Sequence, residues 1–374
     1  MKLLQALFFP PEQPGGVSSM IPYLQERFTS PRWEMELFSI PKRIRNKGRD
    51  EVTFDTFDWM RYEQYPIVQK YIQTYRDYLW WTRLRIQKPY DLIHAHHPIA
   101  GIAMKTVFPD IPLVQTIHSS YEKELILNGK IEENGPEHQF LVSLYGEMEQ
   151  KADRLIAVSH SFQHYLTPYV QNPQDIAVIP NGYDEKRFKP IPHENEVTQL
   201  ITVCRLVPAK GLDILLRACA ELKKRNLEFV LHIIGDGPVR PELEEMARQL
   251  DIYHETIFYG YTLHPEEFMP FFDVFVLPSR AEAFGSVFAE AALSCLALVG
   301  TEVGGIPEQI EDGVNGLLVP PDNPRALADA LEKVIADPAY RYELARSACD
   351  KAKSSYSLSR AVNELKKMYL KFPH

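Results

Sequence analysis

The chain reads as an α/β protein made of two doubly wound parallel sheets, and three observations support this. Short apolar runs alternate with helical patterns from end to end, the signature of βαβ units whose strands are covered on both faces. The runs fall into two sets, each large enough for its own sheet: 2–9, 35–40, 91–95, 113–117 and 155–159, then 200–205, 229–235, 256–259, 274–277, 297–300 and 316–319. Between the sets lies Ile179-Pro180-Asn181-Gly182-Tyr183-Asp184, followed by Pro190-Ile191-Pro192-His193-Glu194-Asn195, a turn-rich polar stretch suited to a hinge. A length of 374 residues with 45% hydrophobic content supports two or three domains rather than one. The expected domains are 1–189 and 190–356, with a last helical pattern over 357–374.

In chain order, the first run passes into Pro10-Pro11-Glu12-Gln13-Pro14-Gly15-Gly16 with no small-residue cleavage site, which fits a buried strand and a glycine turn better than a signal segment. Gly15 and Gly16 would let a phosphate or an acceptor approach the backbone. The region 57–84 is crowded with aromatics, and Ile67, Tyr71, Tyr75, Tyr78 and Leu79 recur at helical spacing, as in a packed helix. Flanking Lys42, Arg43, Arg45, Lys47, Arg49, Arg83, Arg85 and Lys88 leave open an acceptor-lining or membrane-facing surface. Strand alternation puts His94 and His96 on one face and His97 on the other. No carboxylate or thiolate cluster joins them, so no metal site is expected. His118 follows the run 113–117 at its carboxyl end, where ligands of open α/β sheets bind; a hydrogen-bonded structural role is the plainer alternative.

In the second half, Arg205 and Lys210 follow the first run at the same kind of edge, where two cations can neutralise a diphosphate. Gly235-Asp236-Gly237 and Gly304-Gly305 form glycine turns beyond strand ends. Glu282 and Glu290 bracket Ala283-Phe284-Gly285-Ser286-Val287-Phe288-Ala289, directly after the run 274–277. A helix opening near Gly285 places one carboxylate before it and the other about a turn and a half inside. The helix start can receive a diphosphate, and the carboxylates can accept hydrogen bonds from sugar hydroxyls. A glutamate in a first turn also simply complements the helix dipole.

A net charge of −9 argues against nucleic-acid binding. Cys204, Cys219, Cys295 and Cys349 are widely spaced and read as buried free thiols of a reducing compartment, without disulfide or metal. No apolar run is long enough to span a bilayer, so a cytoplasmic protein is expected, with peripheral contact to the inner membrane face left open.

Taken together, these residues resemble the retaining GT-B glycosyltransferases of family 4. That family's hallmark is a Glu-x7-Glu motif, here Glu282 and Glu290, preceded by an Arg and a Lys, here Arg205 and Lys210. The likeness extends through Gly15-Gly16, His118, Asn181-Gly182-Tyr183-Asp184, Gly235-Asp236-Gly237 and Val303-Gly304-Gly305-Ile306-Pro307-Glu308. It implies two Rossmann-like domains facing a cleft and a C-terminal helix returning to the first domain. It also implies transfer of a sugar from a nucleoside diphosphate sugar, expected to be a UDP-sugar, to a hydroxyl acceptor, with no metal or other cofactor. By the same resemblance Arg205 and Lys210 bind the diphosphate and Glu290 the ribose. Glu282, with the backbone at Phe284, Gly285 and Ser286, holds the sugar and adjacent phosphate. His118 contacts the sugar, Gly16 and Gly235 admit the phosphates, and the base lies near Tyr261 and Thr262. A silent sugar-nucleotide sensor, or another enzyme of the fold such as an epimerase or phosphorylase, is the alternative. The sugar, acceptor and oligomeric state are left open.

Overall fold

A computed structural model describes residues 1–7, 16–28, 30–41, 47–48, 58–87, 90–191 and 195–372. The chain forms two units, Met1–Gly182 with Leu358–His374, and Tyr183–Ser357.

The first unit holds the strands β1 (Lys2–Ala6), β2 (Glu34–Phe38), β3 (Leu92–Ala95), β4 (Leu113–Ile117), β5 (Arg154–Ala157) and β6 (Ala177–Val178). Every pairing is parallel, in the order β2-β1-β3-β4-β5-β6. Its helices are α1 (Gly16–Arg27), α2 (Pro66–Arg85), α3 (Pro98–Val107), α4 (Tyr121–Leu127), α5 (Pro136–Lys151) and α6 (His160–Leu166). Strands β3 and β4 are buried along their whole length, as parallel strands covered on both faces must be. The two-residue β6 is too short to show a periodicity and had no counterpart in the sequence reading. Helix α2 takes the packed-helix reading of the aromatic region: Tyr71, Tyr75, Tyr78 and Leu79 are buried. Among its basic flanks, Lys42, Arg43, Arg45, Arg49 and Lys88 lie outside the described residues, as do Gly15 and residues 8–10.

The second unit holds β7 (Thr198–Val203), β8 (Phe229–Ile234), β9 (Thr256–Gly260), β10 (Val274–Leu277), β11 (Ala297–Thr301) and β12 (Leu317–Val319). These too are all parallel, in the order β12-β11-β10-β7-β8-β9. Its helices are α7 (Leu212–Lys224), α8 (Arg240–Gln249), α9 (Ser286–Leu293), α10 (Ile306–Gln309), α11 (Pro324–Ala336) and α12 (Pro338–Ser355). Asn323 and Asp337 cap α11 and α12 by accepting from the backbone N–H groups of Ala326 and Tyr340, and each helix opens on a proline.

The last helix, α13 (Leu358–Tyr369), belongs to the first unit. Its Leu358, Val362, Leu365, Met368 and Tyr369 complete a core with Leu3, Ile21, Leu24, Phe28, Leu92, Val114 and Ile156.

Two expectations need correcting. The first unit ends at Gly182, ahead of residue 189, because the next residues are tied to the second. The Tyr183 N–H donates to the Tyr356 carbonyl at 2.9 Å, its ring stacks on Phe284, and Arg187 pairs with Glu266. Likewise Cys295 and Cys349 are joined in a disulfide across a sequence separation of 54, while Cys204 and Cys219 stay free. Spacing along the chain could not show that the turn after α9 packs on α12. Among the described residues no helix is long and apolar enough to cross a membrane.

Candidate active site

In the second sheet the strand order reverses between β7 and β10, and ligands of open α/β sheets bind beyond the carboxyl ends of the strands at such a point. The loop after β7 carries Arg205 and Lys210; the loop after β10 carries Glu282. Lys210 Nζ lies 2.5 Å from Glu282 Oε1, which also accepts from the Ser279 hydroxyl at 2.9 Å. Arg205 is exposed, and Lys210 and Glu282 are half-buried, so a ligand can reach all three.

Backbone contacts fix this arrangement. Gly211, at φ +66°, lies so close to the Pro278 carbonyl that a Cβ would stand 2.1 Å from its oxygen. Gly304, at φ +52°, passes the Glu282 carbonyl more closely still, its notional Cβ only 1.5 Å from that oxygen. Gly235 and Gly237 press in the same way on the Cys204 and Leu206 carbonyls, so Gly235 serves to seat the β8–α8 loop against the β7 loop. Arg280 bridges the loops, donating to Asp213 at 2.9 and 2.8 Å, to Asp322 at 2.7 Å and to the Pro208 carbonyl at 2.5 Å. Sequence reasoning passed over Arg280; its place directly after a strand end was the available signal.

Gly285 caps α9 with φ 84°, which frees the N–H groups at the helix start, and Ser286 is the first helical residue. The Gln309 amide donates to the Gly285 carbonyl at 3.2 Å and to that of Phe284. Phe284 itself is buried against Tyr183 and Tyr356, so only its backbone is left for a ligand. Glu290 lies inside α9 and is buried. Burial raises its carboxyl from 4.5 to about 8, opposed by the nearby Arg187 charge and reinforced by that of Glu266. The Arg187–Glu266 ion pair beside it was also missed, since neither residue lies in a recognisable motif. Thr262 stands apart: it follows edge strand β9, two strands from β7, and its hydroxyl accepts from the His264 N–H at 3.0 Å.

In the first sheet the order reverses between β1 and β3. His94 and His96 share a face there, as alternation required, with ring centroids 4.2 Å apart. His94 Nδ1 meets the Tyr369 hydroxyl at 2.5 Å and its Nε2 the Thr116 hydroxyl at 2.7 Å. His96 Nε2 lies 2.5 Å from Gln5 Oε1, and its Nδ1 lies 2.9 Å from Nε2 of His118. His97 instead caps α3, Nδ1 accepting from the Ile99 N–H at 3.2 Å. Burial pushes His94, His97 and His118 down to about 3, and His96 well below its ordinary value, so all four rings are neutral near pH 7. Gly16 opens α1. Among the described residues no group of three or more His, Cys, Asp or Glu is arranged to hold a metal ion.

Comparison with known proteins accords with both sheets. Residues 14–187 match the model described as Glycosyltransferase Family 4, and residues 184–354 that of Glycosyl transferases group 1. The D-inositol 3-phosphate glycosyltransferase of Kribbella flavida is 30% identical over 288 residues, covering 70% of this chain and 67% of that protein. The solved sucrose-phosphate synthase of Thermosynechococcus elongatus superposes with a TM-score of 0.81 at 19% identity, covering 99% of this chain and 98% of that one. Anabaena HepE in complex with UDP-glucose superposes with a TM-score of 0.72 at 21% identity, covering 99% and 100%. With two parallel sheets, a Glu-x7-Glu helix and an Arg-Lys loop at a sheet switch point, the chain belongs to the GT-B glycosyltransferases of group 1.

Proposed function

We propose that this glycosyltransferase moves a hexosyl group from a UDP-sugar to a hydroxyl acceptor, with retention at the anomeric carbon and without a metal. The observation that carries the reading is the Lys210–Glu282 ion pair beside Arg205 at the β7–β10 switch point. Breaking the bond between the anomeric carbon and the diphosphate leaves its electron pair on the departing oxygen. Arg205 and Lys210 neutralise that charge, and Lys210 is already oriented for it by Glu282. The acceptor oxygen then bonds to the same face of the sugar, and its proton passes to the leaving phosphate, so no protein base is required.

The remaining roles follow the chemistry of each group. The free N–H groups at the start of α9, around Gly285 and Ser286, face the phosphate beside the sugar. Glu282 accepts from sugar hydroxyls and Glu290 from the ribose. Gly16 and Gly235 are assigned to phosphate approach, Thr262 to the base and His118 to a substrate hydroxyl. The UDP-glucose bound in the solved Anabaena structure favours uridine among the nucleotides.

The test is a thermal-shift series with UDP-, GDP- and ADP-glucose and UDP-N-acetylglucosamine. A ligand at about 100 times its Kd stabilises the fold by about 2.7 kcal/mol, a clear rise in Tm. At least one UDP-sugar should produce it, and anomeric NMR of the product should show retention. A response to GDP- or ADP-sugars alone, or an inverted product, defeats the proposal.

A further inference from the structure

We infer that Arg280 is the positioning residue of the Lys210–Glu282 pair: it holds the Lys210 ammonium in the place where the departing diphosphate needs it. This rests on the proposed role of Lys210 toward the donor and deepens it.

Arg280 stands in the β10 loop between Glu282 and Ser279, whose hydroxyl donates to Glu282 Oε1 at 2.9 Å. From there it takes hold of the β7 loop on both sides of Lys210. Its backbone N–H donates to the Ala209 carbonyl at 2.8 Å and its Nη1 to the Pro208 carbonyl at 2.5 Å, directly before the lysine. Just after the lysine, Asp213 in the first turn of α7 receives both arms of the guanidinium, Nη1 at 2.9 Å and Nη2 at 2.8 Å. The Nε–H goes to Asp322, in the turn ahead of α11, at 2.7 Å. A planar fork meets such a set of acceptors in one orientation only, and with the side chain 19% exposed, water has little room to compete.

Lysine is a point charge on a flexible stem, so the place of its ammonium is set by its backbone and by the contact to Glu282. Arg280 acts on both, because it clamps the loop of the lysine and shares the loop of the glutamate. Charge adds to this: Asp213 and Asp322 are carboxylates that would repel a diphosphate, and pairing with Arg280 offsets them. A displacement of about 1 Å in such a group lowers a rate by as much as about 10²-fold, which is the leverage Arg280 has on turnover. The same unit supplies a control. Arg225 follows the last turn of α7, at the other end of that helix from Lys210, and pairs with Asp329 at 2.7 Å and Glu332 at 2.6 Å on α11.

The experiment measures steady-state kinetics of Arg280→Ala, Arg280→Lys and the control Arg225→Ala. Beside it, ¹⁵N NMR follows the Lys210 ammonium in the donor-free, full-length protein, its signal identified by its loss in Lys210→Arg. Arg280→Ala should lower kcat on the order of tenfold, with the donor KM within about threefold of wild type, because Arg205 and the N–H groups of α9 still hold the donor. Arg280→Lys keeps the charge and is the milder change for the fold. It should still lose at least about threefold in kcat, since one ammonium cannot bridge Asp213, Asp322 and the Pro208 carbonyl together. The Lys210 signal, protected by Glu282 in wild type, should broaden or vanish in both Arg280 variants and persist in Arg225→Ala. An unchanged kcat in either Arg280 variant, an equal loss of kcat in Arg225→Ala, or an undisturbed Lys210 signal in the Arg280 variants overturns the inference. If wild type transfers no sugar, the proposed function fails, whereas the positioning of Lys210 still stands or falls on its ammonium signal.

Discussion

At the scale of single residues, the decisive feature is how each charged group is held before substrate arrives. Lys210 is oriented by Glu282 at 2.5 Å, so removing it deletes a preorganised charge rather than a mobile one. Lys210→Ala should lower kcat by about 10² to 10³ while the fold is retained, checked by steady-state kinetics beside circular dichroism. Near-normal turnover would remove Lys210 from the chemistry. Glu290 behaves differently, because burial raises its carboxyl from 4.5 to about 8. Across that window the unfolded chain has released the proton and the folded chain keeps it. The stability this gives is present below 4.5 and is lost as pH rises through about 8. Glu290→Gln cannot ionise, so the difference in Tm between variant and wild type should move in the variant's favour as pH rises across the window. A difference that stays flat would show that Glu290 is already ionised. Of these residues the sequence exposed Arg205, Lys210, Glu282 and Glu290, since each sits at a strand end or in a helix start that periodicity reveals. It could not expose Arg187 or Glu266, whose pairing joins residues remote in the chain.

At the scale of elements, the site is a set of loops whose backbones interlock through glycine. Positive φ alone does not set the cost of a side chain there. Gly313, at φ +73°, has only the Tyr340 hydroxyl nearby, at 3.9 Å, whereas a Cβ on Gly304 would stand 1.5 Å from the Glu282 carbonyl oxygen. Gly313→Ala should therefore cost about 1 kcal/mol in urea denaturation. Gly304→Ala should cost more by at least about 2 kcal/mol, because the Glu282 backbone has to move, and it should also weaken donor binding. Equal costs at the two positions would show that the β11–α10 loop does not set the place of Glu282. The sequence announced a glycine loop at 304–305 but not the carbonyl that it passes, which belongs to another strand end.

At the scale of the whole molecule, each unit has its own parallel sheet and its own core, and the chain ends by returning a helix to the first. Leu365, only 5% exposed, packs in that first core. Leu365→Ala should cost about 2–4 kcal/mol, and calorimetry should show one unfolding transition lowered and a second unmoved. A uniform shift of all unfolding would mean that the two units melt as one.

Eleven of the twelve strands among the described residues, their parallel character and the strand-end position of the candidate residues were legible in the sequence alone. Those follow from local hydrophobic period and from glycine and charge placed just past each run, information carried within a few residues. The tertiary structure alone decided which strand ends become neighbours. It set β7 beside β10, Lys210 on Glu282, Cys295 on Cys349 and His96 between Gln5 and His118. Each of these joins residues far apart in the chain, and such pairings are selected by packing and backbone fit that no local pattern encodes.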